Sequence, residues 1–199
     1  ASDVYKRQVK IKVSNSSTPT ALAALRSGHI DFAILVMRPG YKGAFLPQDK
    51  FSVTRLAGFQ DIFIAGNDFS DLAGRSVTPG ELCGYPFICM EPGTVTRQFL
   101  DDFLLQFHLA VSPDIELATT DLITPMAANN LGVGFVPRAF ARSALEEGSV
   151  FQIRLTEIVP EREICVISRT DTPLSLAGNA FLRLFSDFAE PSCIKKDCR

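Results

Sequence analysis

Residues 118–137, ATTDLITPMAANNLGVGFVP, decide how the rest of the chain is read. Two small hydroxyls (Thr119, Thr120) and a carboxylate (Asp121) stand just before an apolar-periodic segment, the composition of a helix start. Leu122, Ile123, Met126 and Ala127 recur at helical spacing, and Asn129 and Asn130 close the segment as residues that tolerate a left-handed position. Val133, Phe135 and Val136 then read as a short buried strand, stopped by Pro137. A helix N-terminus that carries hydroxyls and unpaired backbone N–H groups suits a small anion such as a carboxylate.

The same order occurs once before. Ser16-Ser17-Thr18-Pro19-Thr20 precede Ala21, Leu22, Ala24 and Leu25, Ser27-Gly28 close the helix, and Asp31-Phe32-Ala33-Ile34-Leu35 is the strand. Proline just inside a helix and glycine just past it is the usual asymmetry. Two such units far apart in one chain predict two similar lobes whose helix N-termini face a shared gap.

Strands and helices alternate along the rest of the chain, which predicts an α/β protein. Val9–Val13 alternates strictly, as a half-buried strand does. A loop-like stretch after Pro39 reaches Phe51, and Gly58–Ala65 reads as one strand. Thr78-Pro79-Gly80-Glu81 has capping-box spacing, and Tyr85–Met90 is a short buried strand. After the Glu91-Pro92-Gly93-Thr94 turn, Phe99, Leu100, Phe103, Leu104 and Phe107 share one helical face. Ile115–Leu117, Val150–Leu155 and Glu163–Ile167 are strands; Ala139–Leu145 and Ser175–Phe188 are helices. No linker divides the chain, so two lobes require crossing strands near Phe59–Ile64 and Val159–Ile167. Lobe 1 is then discontinuous (residues 9–60 plus 163–190), lobe 2 covers 61–162, and 1–8 and 191–199 are tails.

Composition excludes several classes. With 199 residues, 46% hydrophobic and 21% charged, the chain can bury a core. Its net charge of −2, without a basic block, offers no footprint for nucleic acid. No run approaches the ~18 apolar residues of a membrane span, and the opening ASDVYKRQ has no apolar core of a secretory signal. Cys83, Cys89 and Cys165 read as buried free thiols of a cytosolic protein. Cys193 and Cys198, in a polar tail, leave a disulfide as the alternative. Gly132-Val133-Gly134 follows a helix and enters a strand, the reverse of a dinucleotide loop. His29 and His108 lie far apart without further ligands, so no metal or other cofactor is expected. No serine or cysteine shows a base–orienter arrangement, so no catalysis is expected either. The phenylalanines fall at helix and strand spacing and read as core.

Four segments resemble the regulatory domain of LysR-type transcriptional regulators. They are Leu22–Ile34, with its leucine-rich helix, glycine, aspartate and strand; Leu82–Ile88; Asn130–Pro137, close to that family's G-L-G-hydrophobic…P run; and Pro173–Phe181. The resemblance implies a fold like type 2 periplasmic binding proteins, with two Rossmann-like lobes joined by two crossover strands and the first strand and helix of lobe 1 missing. It also implies a small anionic effector in the cleft between lobes. A homodimer or homotetramer in the cytoplasm and no membrane partner are implied as well, with DNA read only through an N-terminal domain outside this chain. Family effector contacts map onto Ser17 and Thr18 and onto Thr119 and Thr120; Thr94, at another helix start, is a further candidate. Simple helix capping is the competing role for all five. An extracytoplasmic solute-binding protein of the same fold is the alternative function.

Overall fold

The computed structural model of the protein describes residues 10–39 and 50–188. Phe59–Arg162 form one compact unit, and the described residues on either side form another. The expected loop after Pro39, Val9, Cys193 and Cys198 lie outside the described residues.

The larger unit is built on a six-stranded sheet in the order β4-β8-β3-β7-β5-β6. Its strands are β3 (Asp61–Gly66), β4 (Ser76–Val77), β5 (Phe87–Met90), β6 (Ile115–Leu117), β7 (Val133–Pro137) and β8 (Val150–Leu155). β3 runs against both its neighbours, while the pairs β4–β8, β5–β6 and β5–β7 are parallel. β5, β7 and β3 beyond Asp61 read as unbroken apolar runs because both of their faces are covered. Side chains alternate across the pleat, so Phe63, Ala65, Phe87, Cys89, Val133 and Phe135 enter one core. Ile62, Ile64, Ile88, Met90 and Val136 enter the other. The first core is closed by helix Val95–Leu105 through Phe99, Leu100, Phe103 and Leu104. The second is closed by helix Ile123–Ala128 and helix Arg138–Glu146 through Ile123, Ala127 and Ala141.

Two residues of the deciding stretch are there for backbone reasons. Asn130 turns the chain at φ 61°, and its side-chain oxygen accepts from the Asp68 amide at 3.1 Å. Gly134 lets Ile123 lie on β7, since a Cβ there would sit 2.6 Å from the isoleucine methyl. Helix Ile123–Ala128 therefore rides directly on the strand that follows it.

The short helix Pro79–Leu82 carries the capping box read in the sequence: Thr78 accepts from the Glu81 amide, and Glu81 accepts from the Thr78 amide at 2.8 Å. These Thr78 bonds, with Arg75, hold the Glu81 carboxyl below its ordinary value of 4.5. A depressed carboxylate stabilises the fold above its ordinary pKa and loses that effect as pH falls through the depressed value. Glu81→Gln is therefore expected to lower the melting temperature at pH 7, with the deficit closing below about pH 4. A deficit equal at pH 7 and pH 3 would disprove the charge-based account.

The smaller unit contains β1 (Phe32–Met37), β2 (Phe51–Phe59, which crosses into the larger unit at its last residue) and β9 (Arg162–Arg169, which leaves it at its first). Their order is β1-β9-β2. β1 and β9 are antiparallel, with Phe32 opposite Ser168 and Met37 opposite Glu163. Helix Thr18–Arg26 buries Leu22 and Leu25 against Ala33, Leu35, Met37, Phe51, Cys165 and Ile167. Helix Leu176–Phe188 follows β9, with Phe181 against Phe32 at 5.9 Å.

Two sequence expectations differ here. Residues 10–13 form no strand: Ile11 is 60% and Val13 85% exposed, since alternation makes a strand only where a neighbour accepts its hydrogen bonds. Gly58–Ala65 is two strands rather than one, because β2 pairs in the smaller unit's sheet and β3 in the larger unit's. Gln60 sits at the break, its carbonyl accepting from the Arg138 amide and its side chain donating to Val159 O.

Candidate functional site

In an open sheet with parallel strands, ligands bind beyond the carboxyl ends where neighbouring strands send their chains to opposite faces. β5 meets that condition on both sides. After Met90 the chain turns to the face covered by helix Val95–Leu105, whereas after β6 and after β7 it passes to the opposite face. The segments 91–94, 118–122 and 137–138 thus leave the same edge of adjacent strands. A Glu91 amide bond to Leu117 O at 2.9 Å ties the first two together.

Thr94, Thr119 and Thr120 all stand on this edge, in different settings. Thr94 is a helix cap: its hydroxyl accepts from the Arg97 amide at 3.2 Å and donates to Glu91 O at 2.9 Å. Thr119 and Thr120 are not caps, which corrects the simple reading of a helix start at this point. A 3-10 turn, Thr120–Leu122, intervenes before the helix begins at Ile123, and Thr119 makes no side-chain cap bond. The Thr120 hydroxyl instead donates to the Met90 sulfur at 3.4 Å, across the mouth of β5. Thr119 is exposed and Thr120 half-buried.

Ser17 and Thr18 belong to the smaller unit. Ser17 caps helix Thr18–Arg26, accepting from the Thr20 amide at 3.4 Å. Thr18 is half-buried, and its hydroxyl makes no hydrogen bond among the described residues.

Sequence reading missed the charged frame around this edge. Arg97 donates to Glu116 at 2.8 Å, Asp101 at 2.9 Å and Met90 O at 3.3 Å. Burial opposes the Arg97 charge, yet Glu116 and Asp101 outweigh it and hold its pKa above the ordinary value. Asp61, first residue of β3, and Arg162, first of β9, form a buried two-pronged ion pair with both bonds at 2.6 Å. The Arg162 guanidinium lies 4.9 Å from the rings of both Phe59 and Phe99, and donates to Thr96 at 3.3 Å. Burial raises the Asp61 carboxyl above its usual value, with Arg162 pulling the other way. These residues lie 101 positions apart, and the only local sign was a carboxylate opening an apolar strand.

The thiols are inert in this setting. Burial pushes Cys89 up to about 12 and also raises Cys83 and Cys165, so each holds its proton at neutral pH. Cys89 and Cys165 are buried, Cys83 half-buried. His29 and His108 are both exposed. Among the described residues no cluster of His, Cys, Asp or Glu could hold a metal ion, and no helix is long and apolar enough to cross a membrane.

An α/β sheet with a switch point and two chain crossings between units is the fold of the type 2 periplasmic-binding-protein class. Residues 6–190 match the model of the LysR substrate binding domain, and the chain belongs to that family. An uncharacterized HTH-type transcriptional regulator of Escherichia coli, YfiE, is 32% identical over 94 residues, which span 47% of this chain and 30% of that protein. Among solved structures, the Synechocystis PCC6803 CcmR regulatory domain in complex with 2-PG is similar over 96% of this chain and 89% of that one, with TM-score 0.77 and 16% identity. The effector binding domain of QuiR in complex with shikimate is similar over 87% and 78%, with TM-score 0.69 and 14% identity. The regulatory domain of Salmonella typhimurium HypT is similar over 94% and 87%, with TM-score 0.70 and 16% identity. At these identities the structural likenesses show the shared fold.

Proposed function

We propose that this chain senses a small anionic metabolite for a LysR-type transcriptional regulator, with Ser17, Thr18, Thr94, Thr119 and Thr120 as effector contacts. The observation that carries the reading is the pair Thr119–Thr120, hydroxyls at a switch point that are not consumed in helix capping. A carboxylate there would accept charge-assisted hydrogen bonds from the Thr119 hydroxyl and, once it leaves the Met90 sulfur, from that of Thr120. The 2-PG and shikimate of the CcmR and QuiR structures are the kind of small ligand the proposal requires. The domain binds rather than catalyses, a reading supported by its protonated thiols. An effector that favours one arrangement of the protein shifts its population. The shift reaches DNA through a helix-turn-helix segment of the complete regulator, acting as a homodimer or homotetramer in the cytoplasm.

The test is a thermal-shift screen against small carboxylates and aromatic acids, shikimate included. At least one compound is expected to raise the melting temperature, and the double variant Thr119→Val/Thr120→Val to weaken its affinity about tenfold or more. A screen without any shift, or a shift unchanged in the double variant, would overturn the site.

A further inference from the structure

The two points where the chain passes between units fall at Gly58/Phe59 and Arg162/Glu163. Arg162 is itself the last residue before the second crossing. Its guanidinium holds Asp61, two residues beyond the first crossing strand, through both carboxylate oxygens. It also lies against Phe59, the first residue past that crossing. On the side of helix Val95–Leu105 it contacts Thr96 in the first turn and Phe99 in the second. One buried cation therefore touches both crossings and the helix start that carries Thr94.

Other bonds close the same assembly. The Gln60 side chain donates to Val159 O at 3.1 Å, and the Gln60 carbonyl accepts from the Arg138 amide at 3.0 Å. The Thr94 hydroxyl and carbonyl accept from the Arg97 and Gln98 amides. A buried guanidinium paired with a carboxylate cannot leave one partner without stranding the other in a medium that disfavours bare charge. Local openings that part Arg162 from Asp61 are therefore suppressed, and its contacts to Thr96 and Phe99 bring the helix start under the same restraint.

We propose that the Asp61–Arg162 pair is a positioning clamp that makes both crossing segments and the first turn of helix Val95–Leu105 open and close as one cooperative body. A force applied at residues 91–96 is then delivered to both crossings together. The clamp is a property of the fold and does not depend on which effector binds, or whether one does.

The test is native-state hydrogen exchange, followed by NMR amide by amide on the whole chain. The reporters are the amides of Arg138, bonded to Gln60 O, and of Arg97 and Gln98, bonded to Thr94. The controls are the Leu82 amide, bonded to Thr78 O, and the Val133 amide, bonded to Pro86 O. In Asp61→Asn all three reporters are expected to speed up together, by about tenfold or more, with the controls unchanged. Arg162→Lys keeps the charge but not the two-pronged geometry and is expected to give the same pattern more weakly. Acceleration of the Arg138 amide alone would show that the segments open independently and would overturn the clamp. Equal acceleration of reporters and controls would also overturn it, since the pair would then contribute only to global stability.

Discussion

Arg162→Met is expected to destabilise the protein by about 3–5 kcal/mol, the usual effect of removing one partner of a buried ion pair. Arg162 is 1% and Asp61 1% exposed, so water does not replace the lost guanidinium. Methionine restores much of the packing against Phe59 and Phe99 but leaves the Asp61 carboxylate alone. Burial already lifts that carboxyl above its usual value with Arg162 in place. Without Arg162, which pulls it down, the carboxyl is expected to rise further. The sign of the pH dependence follows: a carboxyl whose folded pKa is raised favours the fold at low pH and loses that advantage as pH rises through the folded value. The deficit of Arg162→Met is therefore expected to be larger at pH 8 than at pH 5, measured as the urea midpoint by far-UV circular dichroism. Combining it with Asp61→Leu removes the stranded charge and is expected to recover a large part of the loss. A double variant no more stable than the single one would show that the pair matters through shape rather than charge.

What the sequence made legible follows from how local each signal is. β5, β7 and the central part of β3 read correctly because a strand buried on both faces is apolar at every position, whatever it packs against. The helix Val95–Leu105 was equally plain, since Phe99, Leu100, Phe103 and Leu104 repeat at its own period. Residues 10–13 misled because alternation reports a half-buried surface, and only a hydrogen-bonding neighbour turns that surface into a strand. The break at Gln60 left no trace, since hydropathy is continuous while the sheet to which the chain belongs changes. At the candidate site, Thr94 was legible as a cap from Pro92-Gly93-Thr94. The bond from Thr120 to Met90 was not, because thirty residues separate them. Arg162 was invisible for the same reason: its partners come from Phe59, Asp61, Thr96 and Phe99, none within the reach of a local pattern.

Phe135→Ala is expected to cost about 3–5 kcal/mol. Its ring is 2% exposed at the centre of the sheet, 4.8 Å from Phe63 and 6.2 Å from Phe99. Truncation leaves a cavity between β3 and helix Val95–Leu105, and the Phe63 ring, also packed against Phe87 and Phe103, is not free to collapse into it. Phe140→Ala, at a phenylalanine 53% exposed, is expected to change stability by less than about 0.5 kcal/mol. The two residues lie five apart in the chain, so the contrast isolates burial from residue type. Phe99 also stacks under Arg162, which couples the two large predictions. Once either Phe135 or Arg162 is gone, Phe99 has lost one of its supports and the second loss costs less. The double variant Phe135→Ala/Arg162→Met is therefore expected to fall short of the sum of the single effects by about 0.5 kcal/mol or more in a thermodynamic cycle. Strict additivity would mean that the aromatic core and the clamp are independent.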